Sequence, residues 1–301
     1  MGVLIVGTVT LDTVETPNKR VEDALGGSGV YAAVAASFFR NPVRLVGVVG
    51  TDFPRTYTDF LDTRGIDLQG LKQVDGGKSF RWGGRYTDDF NVRDTLFTEL
   101  NVVSDFQPVL SETYKETPYL FLANNSPRLQ LSIIEQATHP KLIVCDTMDF
   151  WINEEREALE ALLARVDILV LNDSEALLLT GDSNLVRAAQ AILRYGPKRV
   201  IIKKGEHGAI SVTESSFFSL PAYPLTQVVD PTGAGDSFAG GMMGYLASIE
   251  DTSEEAIRSA MVYGTVIASF NIEDFSISRQ NDVQFSEISS RYCELQEAVR
   301  F

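Results

Sequence analysis

Cysteine and histidine are scarce in this chain of 301 residues: Cys145 and Cys293 are the only cysteines, His139 and His207 the only histidines. Their spacing supports neither a disulfide framework nor a zinc site, and a reduced, cytoplasmic setting is expected. Basic residues are also outnumbered. Lysine and arginine total 26 against 41 aspartates and glutamates, a formal net charge of −15, which argues against nucleic acid or an anionic membrane as partner. No apolar run approaches the ~20 residues of a membrane helix. Gly2–Gly7 is apolar but short and is expected to be a buried strand, not a secretion signal. Two catalytic signatures are missing as well: no Gly-x-x-x-x-Gly-Lys-Ser/Thr occurs, and Gly26–Val30 does not complete a Gly-x-Ser-x-Gly elbow.

What is present is a core-forming chain, 44% hydrophobic, in which short β-branched runs alternate with helical patterns. That alternation predicts an α/β fold with a mostly parallel sheet covered on both faces. The clearest strands are 3–7, 43–49, 119–123, 142–146, 168–171 and 200–203, with helices near 29–39, 56–64, 128–137, 153–164, 174–180 and 184–195. Pro42, Gly65, Pro140, Gly181 and Gly196-Pro197 fall at their ends. Two polar segments, about 12–24 and 78–103, break the rhythm and read as antiparallel strands inserted into a single domain spanning 1–301.

The chemistry concentrates at Val229-Asp230-Pro231-Thr232-Gly233-Ala234-Gly235-Asp236-Ser237, where a glycine-rich turn runs into a helix of small and apolar residues. Amides at a helix start have no intrahelical acceptor and stand at the positive end of the macrodipole, so they suit an anion. Asp236 is placed to accept a proton from a hydroxyl while those amides hold a phosphoryl group. An N-cap aspartate after an ordinary turn would look the same in sequence.

This run resembles the C-terminal signature of the ribokinase-like (PfkB) family of carbohydrate and nucleoside kinases. Three further stretches are similar to family elements: Gly26-Gly27-Ser28-Gly29 entering an alanine-rich helix, Asn172-Asp173-Ser174-Glu175, and Lys204-Gly205-Glu206-His207-Gly208. The resemblance implies a ribokinase-like three-layer fold with a small β lid formed by the two polar segments. It implies an ATP- and magnesium-dependent kinase of a hydroxymethyl group on a sugar or sugar-containing molecule. A nucleoside kinase is the alternative, and a non-catalytic ligand-binding regulator a rival of another class.

Residue by residue, the resemblance makes Asp236 the base and the amides of Gly233, Ala234 and Gly235 the anion hole. Asp12, Gly26, Gly27, Tyr31, Asn124 and Asn125 fall on the acceptor. Asn172, Lys203, Gly205, Gly208, Thr232, Gly264 and Ser269 fall on the nucleotide. Glu175 is implied for magnesium, directly or through water, and Asp230 for a monovalent cation such as potassium; a homodimer through the lid is also implied. Read locally, Asn172 and Glu175 equally form a capping box. Ser28 and Tyr31 depart from the lysine and asparagine of ribokinase proper, while Phe80, Trp82 and Tyr86 add aromatic surface suited to a base. Arg81, Arg85 and Arg93 either meet an anionic group or are solvated lid surface. Asp146, ending a strand, is a further candidate.

Overall fold

The computed structural model describes residues 2–39, 42–87, 90 and 92–300. Its strands are β1 (Val3–Val6), β2 (Thr10–Glu15), β3 (Arg20–Gly26), β4 (Val43–Gly50), β5 (Ile66–Val74), β6 (Phe80–Tyr86), β7 (Arg93–Glu99), β8 (Tyr119–Leu122), β9 (Leu142–Asp146), β10 (Ile168–Asn172), β11 (Arg199–Lys203), β12 (Ala209–Val212) and β13 (Phe217–Leu220). Nine of them form one sheet in the order β13-β12-β11-β10-β9-β8-β1-β4-β5. Pairings from β11 through β5 are parallel, and β12–β13 closes one edge as an antiparallel hairpin.

Side-chain alternation divides the core in two. Val3 and Ile5 of β1 face the helices Ser28–Ser37, Ala234–Ile249 and Glu254–Asn271, whereas Leu4 and Val6 face those at Pro127–Gln136, Arg156–Leu163, Asp173–Thr180 and Leu185–Leu193. Burial on both faces is why these strands read as continuous apolar runs. Connections leave β1 toward β4 and β5 on one side and return to β8 on the other. The strand order therefore reverses at β1/β8, and a crevice opens at the carboxyl ends there.

The two polar segments form a separate sheet, β3-β2-β6-β7. Each segment is an antiparallel hairpin as expected, but the hairpins join through a parallel pairing of β2 with β6. This small sheet is formed by the two segments expected to act as a lid. Val14 and Tyr86 pack on Phe275, with Trp82 and Val229 at the margin, so the lid rests on the carboxyl edge of the large sheet.

Two local expectations need correction. The stretch 153–164 is two helices, Asp149–Glu154 and Arg156–Leu163, parted where Glu155 leaves helical geometry at φ −125°, ψ 39°. Residues 66–74 form strand β5, whose mixed polar sequence lacked a clean alternation because it lies at the sheet edge. Among the described residues no helix is long and apolar enough to cross a membrane.

Candidate active site

The expected anion hole rests on backbone conformation. Gly233 caps the helix Ala234–Ile249 at φ +77°, and a Cβ there would stand 2.3 Å from the Tyr31 ring, so glycine is required on two counts. The Ala234 amide turns back to the Pro231 carbonyl at 3.2 Å, whereas the amides of Gly233 and Gly235 have no backbone acceptor among the described residues. The preceding loop is pinned: the Thr232 amide donates to Asp230 Oδ1 at 2.9 Å, and Asn271 Nδ2 donates to the Thr232 carbonyl at 2.7 Å. Ser237 Oγ donates to Asn271 Oδ1 at 3.1 Å and accepts from Gln280 Nε2 at the same distance. A rigid donor array of this kind costs little reorganisation when charge arrives.

Asp236 is not the N-cap, since Gly233 occupies that position and no side chain caps the helix. Removal from water pushes the Asp236 carboxyl up to about 7; the neighbouring Asp146 carboxylate adds to the rise and Lys203 opposes it. Asp12, on β2, is 4% exposed and is likewise raised to about 7, first by burial and then by Asp230 and Asp236, while Thr10 Oγ1 donates to its Oδ1 at 2.6 Å and favours ionisation. Gly26 makes room for that carboxyl, because a Cβ there would fall 1.9 Å from Asp12 Oδ2. Gly27, at φ +101°, then turns the chain into the helix Ser28–Ser37.

Ser28, one of the departures noted above, ties three segments together. Its Oγ accepts from the Thr8 amide at 3.1 Å and donates to the Asn124 carbonyl at 3.0 Å, and its amide donates to Thr8 Oγ1 at 3.0 Å. The carboxyl ends of β1 and β8 and the start of the helix are thereby clasped at the reversal point.

A buried ionic cluster lies beneath the anion hole. Lys203 Nζ donates to Asp146 Oδ2 at 2.8 Å, and the same nitrogen would lie 2.8 Å from a Cβ on Gly235. Asn172 and Glu175 do form a reciprocal capping box, at 2.7 Å and 2.8 Å. Burial pushes Glu175 up to about 8, with Asp146 adding and Lys203 opposing. The helix start lies at the carboxyl end of β10, where Glu175 and Lys203 both feel the Asp146 carboxylate and each other's charge. Among the described residues, no group of three or more His, Cys, Asp or Glu could by itself hold a metal.

Other expected site residues are placed differently. Tyr31 is brought in, but with its ring face under Gly233 and 2% exposure it supports the turn. Asn124 follows β8, yet its amide is held by Trp151 Nε1 at 2.9 Å and by Met148 Sδ at 3.1 Å; Asn125 accepts from the Ser126 amide at 2.8 Å. Gly205 and Gly208 both take positive φ in the turn between β11 and β12, and Gly208 packs on the Leu220 carbonyl. Gly264 is a helix-contact glycine, its missing Cβ 2.5 Å from the Phe238 carbonyl oxygen, and Ser269 Oγ accepts from Arg291 at 2.7 Å. Both therefore have packing explanations. Asp230 is 1% exposed; its second oxygen faces the Ser276 amide at 3.4 Å, and burial raises its pKa.

One contact was not legible. Tyr86, read from sequence only as aromatic surface suited to a base, has its hydroxyl 3.2 Å from Thr232 Oγ1, linking the small sheet to the 230–233 loop.

The pfkB family carbohydrate kinase model matches residues 3–279. The chain is 31% identical over 252 residues to a cytidine kinase of Thermococcus kodakarensis, covering 81% of this chain and 87% of that protein. The solved nucleoside kinase of Methanocaldococcus jannaschii superposes with a TM-score of 0.77 over 97% of this chain and 98% of its own, at 19% identity. A putative ribokinase II from E. coli, solved with ATP and magnesium, gives 0.77 over 97% and 99% of the two chains, also at 19% identity. The glycine turn, the carboxylate behind it and the three-layer sheet thus stand in a chain that belongs to the pfkB family of carbohydrate kinases, phosphotransferases with an alcohol group as acceptor.

Proposed function

We propose that the chain transfers the γ-phosphoryl group of ATP to the hydroxymethyl group of a nucleoside. The observation that carries this reading is the register of the lid: Asp12 and Trp82 are directly paired across β2 and β6, so their side chains share one face. A carboxylate beside an indole offers a ribose diol two acceptor oxygens and a base a flat surface. The cytidine kinase relative supports the same class. A free sugar is the second reading, favoured by the family description.

Asp236 takes the proton of the acceptor hydroxyl as its oxygen bonds to phosphorus and the bond to ADP breaks. Amides of Gly233 and Gly235 meet the charge on the transferring group, and Lys203 lies behind them to balance the remaining phosphates. The donor set fits magnesium, which keeps several waters and needs only one or two carboxylates besides the phosphates; Glu175 and Asp146 would hold it and supply charge neutralisation. Asp12 orients the acceptor. The lid excludes water and so suppresses ATP hydrolysis. The same proposal includes a potassium requirement through Asp230 and pairing of two chains through the lids, whose edge exposes Val92 and Leu96.

The deciding experiment measures ADP release with magnesium-ATP against cytidine, other nucleosides, ribose, fructose and sugar acids. A kcat/KM for a nucleoside at least tenfold above every sugar is expected. Preference for a free sugar sinks the nucleoside assignment. Repeating the assay with potassium replaced by tetramethylammonium, and sedimentation of the protein, test the two additions.

A further inference from the structure

Thr232, the residue before the glycine turn, is held at three points. Its amide donates to Asp230 Oδ1 at 2.9 Å and its carbonyl accepts from Asn271 Nδ2 at 2.7 Å, both within the body. The third hold comes from the small sheet. Tyr86, which ends β6, brings its hydroxyl to 3.2 Å from Thr232 Oγ1, and among the described residues this is the one hydrogen bond from that sheet to the 230–233 loop. The ring that delivers it is fixed in place: Tyr86 is 7% exposed, packs with Val14 and Phe275, and has its centroid 6.3 Å from that of Phe90.

Donor capacity orients this contact. Arg81 pairs with Asp23 and Asp52 and Arg85 with Glu15, whereas Arg93, opposite Tyr86 in the β6–β7 register, hydrogen-bonds the Tyr86 oxygen. A guanidinium only donates, so the single proton of the phenol stays free for Thr232. At the other end the Thr232 hydroxyl hydrogen-bonds the side chain of Asp230, which is 1% exposed, and a carboxylate only accepts. Thr232 Oγ1 therefore accepts from Tyr86 and gives its own proton to Asp230. Two hydroxyls thus form a directional chain from the small sheet to a buried carboxylate of the body, each bond polarising the next.

On the kinase reading above, we propose that Tyr86 is a positioning residue: its hydroxyl latches the small sheet to Thr232 and thereby sets how much of the ATP turned over reaches the acceptor instead of water. The glycine turn keeps its shape without the latch, because Asp230 and Asn271 hold Thr232 from the body. What the latch fixes is the seat of the sheet that carries Asp12 and Trp82. An acceptor held by Asp12 is then registered against the phosphoryl group by the same contact that closes the crevice. With the sheet unseated, a water oxygen bonds to phosphorus in place of the acceptor oxygen, and ATP is lost as ADP and phosphate. Tyr86 acts through Thr232 and the sheet, not on the reacting atoms.

The test compares wild type, Tyr86→Phe, Thr232→Val and the double variant with magnesium-ATP and the best acceptor of the panel. It reads kcat, the phosphorylated acceptor formed per ADP released, and amide hydrogen exchange in β6 and β7. Tyr86→Phe keeps the packed ring and removes only the hydroxyl, so its circular dichroism should match wild type. Its kcat is expected to fall about three- to tenfold, the range of one net hydrogen bond, and its product per ADP to fall at least about twofold, with exchange in the two strands quickened about as much as kcat falls. The double variant should be no worse than Thr232→Val alone, since both changes break one contact. A wild-type product per ADP in Tyr86→Phe makes the residue a packing element and overturns the proposal, as do unchanged exchange and additive losses in the double variant. In those outcomes the kinase reading survives. Wild-type protein that turns over no acceptor removes the kinase reading and the coupling with it, and quickened exchange in Tyr86→Phe would then leave the latch standing alone.

Discussion

The large sheet and the lid solve opposite problems. Strands β1 and β8 are buried along their whole length, and the glycine turn proposed as the anion hole is pinned by a chain of bonds through Asn271, Ser237 and Gln280. The lid exposes nearly all of β7, and its hydrophobic cluster has three fully buried members, of which Phe275 belongs to the body. Preorganisation is therefore a property of the body. The lid holds its shape through what it rests on, which suits the closure over substrate proposed above.

The sharpest way to break that contrast is Asp236→Asn, because the side chain does not cap its helix and its loss should leave the body intact. A fall in kcat of about 10²–10⁴-fold is expected, with folding unchanged by circular dichroism; activity near wild type would remove the base. The same carboxyl sets a pH signature. With Asp236 and Asp12 held up to about 7, wild-type kcat/KM should rise with pH and level off above that value. Stability runs the other way: in the native state both groups keep protons that unfolded carboxyls release near pH 4, so stability declines between about pH 4 and 7. Asp236→Asn should consequently melt above wild type at pH 8, read by calorimetry.

Asp12→Ala probes the lid's share. Its acceptor KM should rise about ten- to hundredfold, the loss of one or two charge-assisted hydrogen bonds, while calorimetric affinity for magnesium-ATP stays within twofold. An unchanged acceptor KM would take Asp12 out of the site.

Gly264→Ala separates packing from nucleotide contact in the body. A methyl 2.5 Å from the Phe238 carbonyl should cost about 1–3 kcal/mol, lowering Tm by about 2–4 °C per kcal/mol, with ATP affinity retained. Weakened ATP binding at unchanged Tm would restore the nucleotide-contact reading. The smallest effect is expected at Glu15→Ala. It releases two largely exposed arginines, Arg20 and Arg85, and should alter stability by less than about 1 kcal/mol and leave kcat alone. A larger loss would mean that surface ion pairs hold the lid in shape.

Much of this was legible in the sequence, and the reason is local. Strand ends, glycine turns and capping residues lie within a few positions of one another, so Asp236, Gly233, Asn172 and Glu175 could be placed without tertiary knowledge. Interactions that close over long separations were not. Nothing near Asn124 announced that Trp151 would hold its amide, and nothing near Gly264 announced the Phe238 carbonyl across a helix interface. The three lid arginines look alike until Glu15, Asp23 and Asp52 are seen to claim two of them. The break at Glu155 escaped periodicity because apolar spacing continues across it; its carboxylate accepts from Ser126 Oγ at 2.9 Å instead.

The parallel pairing of β2 with β6 carries one more consequence, for the order in which the molecule is made. Each lid hairpin is local, but the partners that join them, such as Glu15 and Arg85, are 70 residues apart, and β4 and β5 of the body lie between. Closing so long a loop is repaid only after the intervening strands have found their places. During synthesis the first hairpin emerges with an unpaired edge and waits. Phe275, on which the lid settles, comes nearly two hundred residues after the second hairpin begins. The lid is therefore the last part to mature, settling only after Phe275 has left the ribosome.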